Sequence, residues 1–281
     1  MKRKIAIVTS DLEYFNASIC MGLYKEFFKR NFDTQIYLTY ENPDREKELV
    51  ESIIKDKSIA GLIIFSCLNN STFYQGIIKQ IYIPCVFLDR LLPYLSQCNF
   101  VTSDNYGGAK KIGELLIQKG AKSIACLSML KEISISTIED RVNGFRDSHN
   151  DNTIVNCFRE ELAYNDTFTS MKMVLQKWEE KSSFPDAIFA TNHLIINAFI
   201  TLTQQNDKWK KLSQNTILSC FDNLPYFDWL KKPIISAEQT IQEYVNYTTA
   251  ILLRRIENPK LLDKHANIIL PVKIIDRTIK N

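Results

Sequence analysis

The hydrophobic pattern of this chain changes period many times between its ends. Lys4 to Thr9 is a short apolar run that reads as a buried strand, and Asn16 to Arg30 then repeats Ile19, Leu23 and Phe27 at helical spacing. Gln35 to Thr39 predicts a second strand. Asn42-Pro43 is a helix start with Pro in the first helical position, and Leu49, Val50, Ile53 and Ile54 form the buried stripe behind it. Ala60 to Ser66 has the continuous apolar character of a strand covered on both faces. A helix through Phe73, Ile77 and Ile78 and a strand over Pro84 to Leu88, ended by Asp89-Arg90, lead to the most informative stretch, Ser103 to Leu127. That stretch opens with Asp104 after the apolar run Phe100 to Thr102. It continues as a helix through Ala109, Ile112 and Leu116, stops at Gly120, and passes at once into the strand Ser123 to Leu127.

Beyond Leu127 the alternation restarts. A helix carries Arg141, Val142 and Phe145, and Thr153 to Phe158 is strand-like. Thr167 to Glu180 is helical, Ala187 to Ala190 a strand, Asn192 to Gln205 a helix, and Thr216 to Phe221 a strand closed by Asp222. Pro233 to Ala237 is extended, Glu238 to Glu257 forms a long helix, and Asn267 to Val272 and Lys273 to Ile275 end the chain as strands. Strands alternating with helices in two successive series predict an α/β protein of two lobes, each a doubly wound parallel sheet.

Composition agrees with this frame. With 281 residues, 45% hydrophobic and 24% charged, the chain suits two lobes of roughly 130 residues each, and disorder and fibres are excluded. The net charge of +3 is mild, and most Lys and Arg alternate with acids on helical faces, as in Arg45-Glu46-Lys47-Glu48, so no nucleic-acid footprint is evident. Only Lys2-Arg3-Lys4 is concentrated. The seven cysteines are odd in number, with no CxxC pair and no zinc-like spacing, and Cys85, Cys126 and Cys220 lie in or beside apolar strands. A reducing compartment, no metal and no cofactor are expected. Ile5 to Val8 is too short for a signal-peptide core, and no run approaches the ~18 apolar residues of a membrane span, which predicts a cytoplasmic protein.

Enzyme motifs are missing. The loop Thr9 to Glu13 has no glycine, so neither a GxGxxG nor a P-loop is available there; no GxSxG elbow occurs, and His149, His193 and His265 have no HExxH spacing. The expectation is a protein that binds and releases a ligand unchanged.

Several segments in order carry a family resemblance: Lys4-IAIVTSD with aromatics after it, Asn42-PDREKELVESIIKDKSIAGLIIFS, Ile83-PCVFLDR, Ser103-DNYGGAKKIGELLIQKGAKSIACLS, Asp140-RVNGF, Pro185-DAIFATNH, Ile217-LSCFDNLP and Pro233-IISAEQ. Over essentially its whole length the chain resembles the effector-binding core of LacI/GalR-type bacterial transcription regulators, which share their fold with type I periplasmic sugar-binding proteins. The resemblance implies three crossovers between the lobes, near Lys119-Gly120-Ala121, Ala237-Glu238 and Lys264-His265. The lobes would then be 1–120 plus 238–263 and 121–237 plus 264–281, with Gly120 at a hinge. It also implies a homodimer and a small sugar or sugar-like effector held in the cleft, whose bridging of the lobes alters DNA binding. The other readings are a sugar-binding component of a transporter and an enzyme acting on a small polar ligand.

On this pattern the ligand-binding candidates are Asp11, Tyr14, Phe15, Asp89, Arg90, Asp104, Arg141, Asn192, His193, Asp222 and Gln239. Acids and planar donors at strand ends can hold hydroxyls in both directions, while aromatic faces cover a sugar ring. Asp104 and Asn192 also suit helix N-caps, Phe15 suits a core, and Arg141 beside Asp140 suits a solvated helical face. The matched order favours Arg141 and Asp222 as contacts. His193 departs from the family, which commonly has an acid there, and points toward an acidic or phosphorylated sugar. Regulators of this kind carry a helix-turn-helix headpiece before the core. Met1 to Lys4 leave no length for one, so the expectation is a core without its headpiece, with Lys2-Arg3-Lys4 a remnant of the connecting segment and DNA bound only through the missing part.

Overall fold

The structure is a computed structural model; it describes residues 3–77, 82–93, 95, 98–130, 135–149, 155–163, 166–258 and 265–279. The chain divides into two compact units, 1–103 with 240–270 and 104–239 with 271–281.

The first unit is built on β1 (Lys4–Thr9), β2 (Asp33–Leu38), β3 (Ile59–Ile64), β4 (Cys85–Leu88), β5 (Asn99–Ser103) and β11 (Asn267–Leu270), in the order β11-β5-β4-β3-β1-β2. All its pairings are parallel. Helices α1 (Tyr14–Phe28), α2 (Pro43–Ile53), α3 (Thr72–Ile77) and α9 (Ile241–Glu257) complete it. Two apolar clusters lie on its opposite faces: Ile5, Ile7 and Ile63 with the α1 and α9 residues Leu23 and Leu252, and Ala6, Val8 and Leu62 with Val50 and Tyr74. Adjacent strand residues point to opposite faces, so a continuous apolar run supplies both cores.

The second unit holds β6 (Ser123–Leu130), β7 (Asn156–Ala163), β8 (Ala187–Ala190), β9 (Ile217–Cys220), β10 (Ile234–Gln239) and β12 (Val272–Asp276), in the order β12-β10-β9-β8-β6-β7. Its helices are α4 (Asn105–Gln118), α5 (Ser136–Arg146), α6 (Thr167–Glu180), α7 (His193–Gln205) and α8 (Asp207–Leu212). Strand β12 runs antiparallel to β10, so this sheet is not wholly parallel as expected. Helix α8 and a 3-10 helix over Pro225–Trp229 were not foreseen either. Each is only five or six residues, too short to show a helical stripe. The start of the strand predicted from Thr153 falls outside the described residues, and the observed strand begins at Asn156.

The crossings correct the expected boundaries. The first lies at Ser103–Asp104, because α4 packs on α5 and on β8, β10 and β12 of the second sheet; Asp104 and all of α4 belong to the second unit. Gly120 is therefore no hinge. It is the left-handed residue (φ 87°) of a Schellman ending, in which Ala121 N–H bonds Leu116 O (3.2 Å) and Gly120 N–H bonds Ile117 O (2.9 Å). The second crossing is at Gln239–Thr240. The third is at Leu270–Pro271: β11 still pairs with β5, past His265, while Lys264 lies outside the described residues.

Candidate functional site

In each unit the parallel strands end on a common edge, and the loops beyond that edge carry the polar side chains. In the second unit Arg141 comes from α5 and is 5% exposed. The solvated-face reading does not hold for it. Its Nε donates to Asn105 Oδ1 (2.8 Å), its Nη1 donates to the Thr191 carbonyl (2.8 Å), and its guanidinium lies 4.0 Å from the Phe221 ring centre. Nη2 makes no hydrogen bond among the described residues. A charge enclosed to this degree is tolerable because the ring face and two acceptors replace part of its hydration. The partners exist because Thr191 directly follows β8, Phe221 directly follows β9, and α4 begins at Asn105.

Beside it, Asp222 is held from two sides. The backbone N–H and Nδ1 of His193 meet its Oδ2 at 2.9 and 3.1 Å, and the Gln239 amide donates to Oδ1 at 3.0 Å. Burial, the largest influence, pushes this carboxyl up; the His193 hydrogen bond and the Arg141 charge outweigh it and hold the group below its ordinary value. Since a carboxylate only accepts, the His193 contact fixes a proton on Nδ1. Asp104 and Asn192 are N-caps: Asp104 accepts from Gly107 N–H (2.8 Å) and Asn192 from Ile195 N–H (3.1 Å). The neighbouring Asp140 carboxyl is pushed up chiefly by burial, against the lowering influence of Arg141.

In the first unit the candidates separate. Asp11 is enclosed in its own turn, accepting from Ser10 Oγ (2.7 Å), Glu13 N–H (2.8 Å) and the Asn16 amide (3.2 Å to each oxygen). Phe15 packs edge-on against Tyr244 at 5.3 Å, at the margin of the core, and Tyr14 is exposed at the start of α1. Arg90 makes a two-pronged pair with Glu41, Nη1 to Oε2 at 3.0 Å and Nη2 to Oε1 at 2.5 Å. Asp89 has φ 67°, and Arg90 N–H closes back on Leu88 O at 2.9 Å, a three-residue turn of the rare strained kind. Tyr40 (φ 54°) and Glu41 (φ 57°) are left-handed as well, each costing on the order of 1 kcal/mol or more for a residue with a Cβ.

Four participants were not singled out from sequence. Asn105 and Phe221 look there like a helix residue and a core aromatic. Glu41 stands among turn residues, its strained φ a fact of tertiary structure alone. Glu46 stands in an alternating run of charges on a helical face, yet it is wholly buried, accepting from Ser66 Oγ (2.6 Å), Cys67 N–H (2.5 Å) and Tyr74 OH (2.5 Å). Its position falls on the buried stripe of α2 with Val50 and Ile53, and its donors come from the segment after β3 and from α3. Among the described residues no group of three or more His, Cys, Asp and Glu could hold a metal ion, and no helix is long and apolar enough to cross a membrane.

Two α/β units, each with ligand-type side chains at its carboxyl strand edge, define a fold of the type I periplasmic-binding-protein class. No family model matches the chain. The catabolite repressor/activator of Escherichia coli K12 is 24% identical over 265 residues, covering 92% of this chain and 75% of the relative. The ribose operon repressor of Halalkalibacterium halodurans is 25% identical over 240 residues, covering 85% and 67%. Among solved structures, the Cra transcriptional dual regulator of Pseudomonas putida in complex with fructose 1-phosphate superposes with TM-score 0.85 at 18% identity, covering 99% of both chains. A LacI family regulator of Enterococcus faecalis with bound ribose gives TM-score 0.80 at 20% identity, covering 98% and 97%. The chain is thus a homologue of LacI-type transcription regulators and has the fold of their effector-binding core.

Proposed function

We propose that this chain is the ligand-sensing domain of a LacI-type regulator, binding a sugar or sugar derivative at the carboxyl strand edges and carrying out no reaction on it. The observation that carries the reading is Arg141. It is buried, fixed in orientation by Asn105, Thr191 and Phe221, and still has Nη2 to offer to a hydroxyl or an oxyanion. Asp222, Gln239 and His193 add an acceptor, an amide and a ring nitrogen at the same edge. Relatives of this fold that were solved with fructose 1-phosphate or ribose support the choice of ligand class. A thermal-shift screen over sugars and sugar phosphates tests it: a ligand at 100 times its dissociation constant adds about 2.7 kcal/mol of stability. Arg141→Ala should erase the shift of every hit. A hit unaffected by Arg141→Ala and Asp222→Ala would overturn the reading.

Tyr14, Met21, Tyr24 and Phe28 are exposed along α1, with Tyr24 and Phe28 stacked at 6.0 Å, an apolar stripe that suits a homodimer. Effector binding in such a dimer would set the affinity of an attached headpiece for DNA in the cytoplasm. Sedimentation of Tyr24→Glu with Phe28→Glu, against the unsubstituted chain, checks the dimer; equal mass for both would remove it.

A further inference from the structure

The Arg90–Glu41 pair is unusual in how it is held. Glu41 follows β2 and Arg90 follows β4; β1 and β3 lie between them in the sheet, so the strand ends are about 14 Å apart. Both side chains are largely enclosed, at 17% and 16% exposure, and they meet fork to fork. The turn presenting Glu41 has its Asn42 N–H bonded to Thr39 O (3.1 Å) across two residues of positive φ, the I′ geometry that ordinarily selects Asn and Gly. Here Tyr40 and Glu41 occupy it. Arg45 braces that turn, donating from Nε to Leu38 O (2.7 Å) and lying 5.5 Å from the Tyr40 ring centre. At the other end Asp89 is strained too, and Thr102 Oγ1 ties its carbonyl (2.7 Å). Strained backbone on both sides of one ion pair, at the edge where ligands gather, marks a functional arrangement rather than a surface bridge.

We propose that Glu41 is a built-in competitor for Arg90: its carboxylate fills the guanidinium fork that an oxyanion of the effector would take, so an effector phosphate binds there by displacing Glu41. The proposal rests on the reading of this chain as an effector-binding domain and narrows it to phosphorylated sugars. A carboxylate and a phosphate present the same paired oxygens to a planar fork, so one can substitute for the other without moving Arg90. An uncharged sugar lacks the charge to do so. The internal carboxylate then acts as a filter, raising the threshold for weak anions and rejecting neutral hydroxyls at this point.

The sign of the test separates this role from a structural one. Inorganic phosphate and fructose 1-phosphate are titrated by calorimetry, at constant ionic strength, into the unsubstituted chain and into E41Q, E41G and R90A. Gln keeps the shape without the charge, and Gly relieves the left-handed backbone, so a folding defect in one variant does not silence the other. Both Glu41 variants should bind inorganic phosphate about tenfold tighter than the unsubstituted chain, and adding R90A should remove that gain. Equal or weaker phosphate binding in E41Q and E41G, or a gain that survives R90A, overturns the proposal. If sugar hits still depend on Arg141 while E41Q shows no gain, the competitor role falls and the effector-binding reading stands; if no sugar hit depends on Arg141, that reading falls by itself.

Discussion

The guanidinium of Arg141 lies 4.0 Å from the centre of the Phe221 ring, and two of its nitrogens are bonded to Asn105 and Thr191. Planarity makes this possible, because the same side chain stacks and forks at once. Arg141→Lys keeps the charge but cannot reproduce the fork or the stack. It should lower stability by about 1–3 kcal/mol, measured by urea unfolding, and should abolish the ligand-induced thermal shift as completely as Arg141→Ala.

Glu46 joins three parts of the first unit, α2, the end of β3 and α3, through three donors in a space closed to water. Glu46→Gln keeps the volume but turns one acceptor into a donor facing donors. A loss of about 1–3 kcal/mol is expected in urea unfolding, with Tyr74→Phe, which removes one donor, costing nearer 1 kcal/mol. Burial, followed by Glu46, also pushes the Tyr74 hydroxyl well up, so it stays a donor throughout the working pH range.

Asp222 gives the second unit an acid-side pH dependence. Its folded carboxyl lies below its ordinary value of 3.8, so ionised Asp222 stabilises the fold. That contribution is complete above the unfolded value and is lost as pH falls through the folded one. Asp222→Asn removes it at every pH. The stability difference between the two chains, followed by urea midpoints from about pH 6 down to about pH 3, should be largest at the top and shrink toward the bottom.

Helices α4 and α5 cross so closely that a Cβ on Gly144 would stand 2.1 Å from the Tyr106 carbonyl oxygen, a backbone atom that cannot rotate away. Gly144→Ala should cost about 1–3 kcal/mol and weaken ligand binding, because Asn105 and Arg141 sit on those two helices. Gly76→Ala is the control. A Cβ there meets nothing within 4 Å, and its melting temperature should hold or rise.

Six of the seven free cysteines are buried, and Cys157 is partly open. Burial pushes the thiols up, to about 11 for Cys157 and to about 12 for Cys20, Cys67, Cys98 and Cys126. Alkylation of the folded chain, located by mass spectrometry, should label Cys157 first and the others only after unfolding.

Sequence by itself determined the alternation of strands and helices, the two-unit α/β class and most strand positions, because burying both faces of a parallel sheet requires continuous apolar runs that can be read directly. It also determined the cap at Asn42 and offered Asp104 and Asn192 as caps beside their reading as ligand contacts, since capping is a bond between a side chain and the next turn. Tertiary structure alone decided which unit α4 joins, the antiparallel placing of β12, the burial of Glu46 and the pairing of Arg90 with Glu41. Each depends on partners brought from distant segments, and a periodic pattern records that a residue is buried without recording what it is buried against.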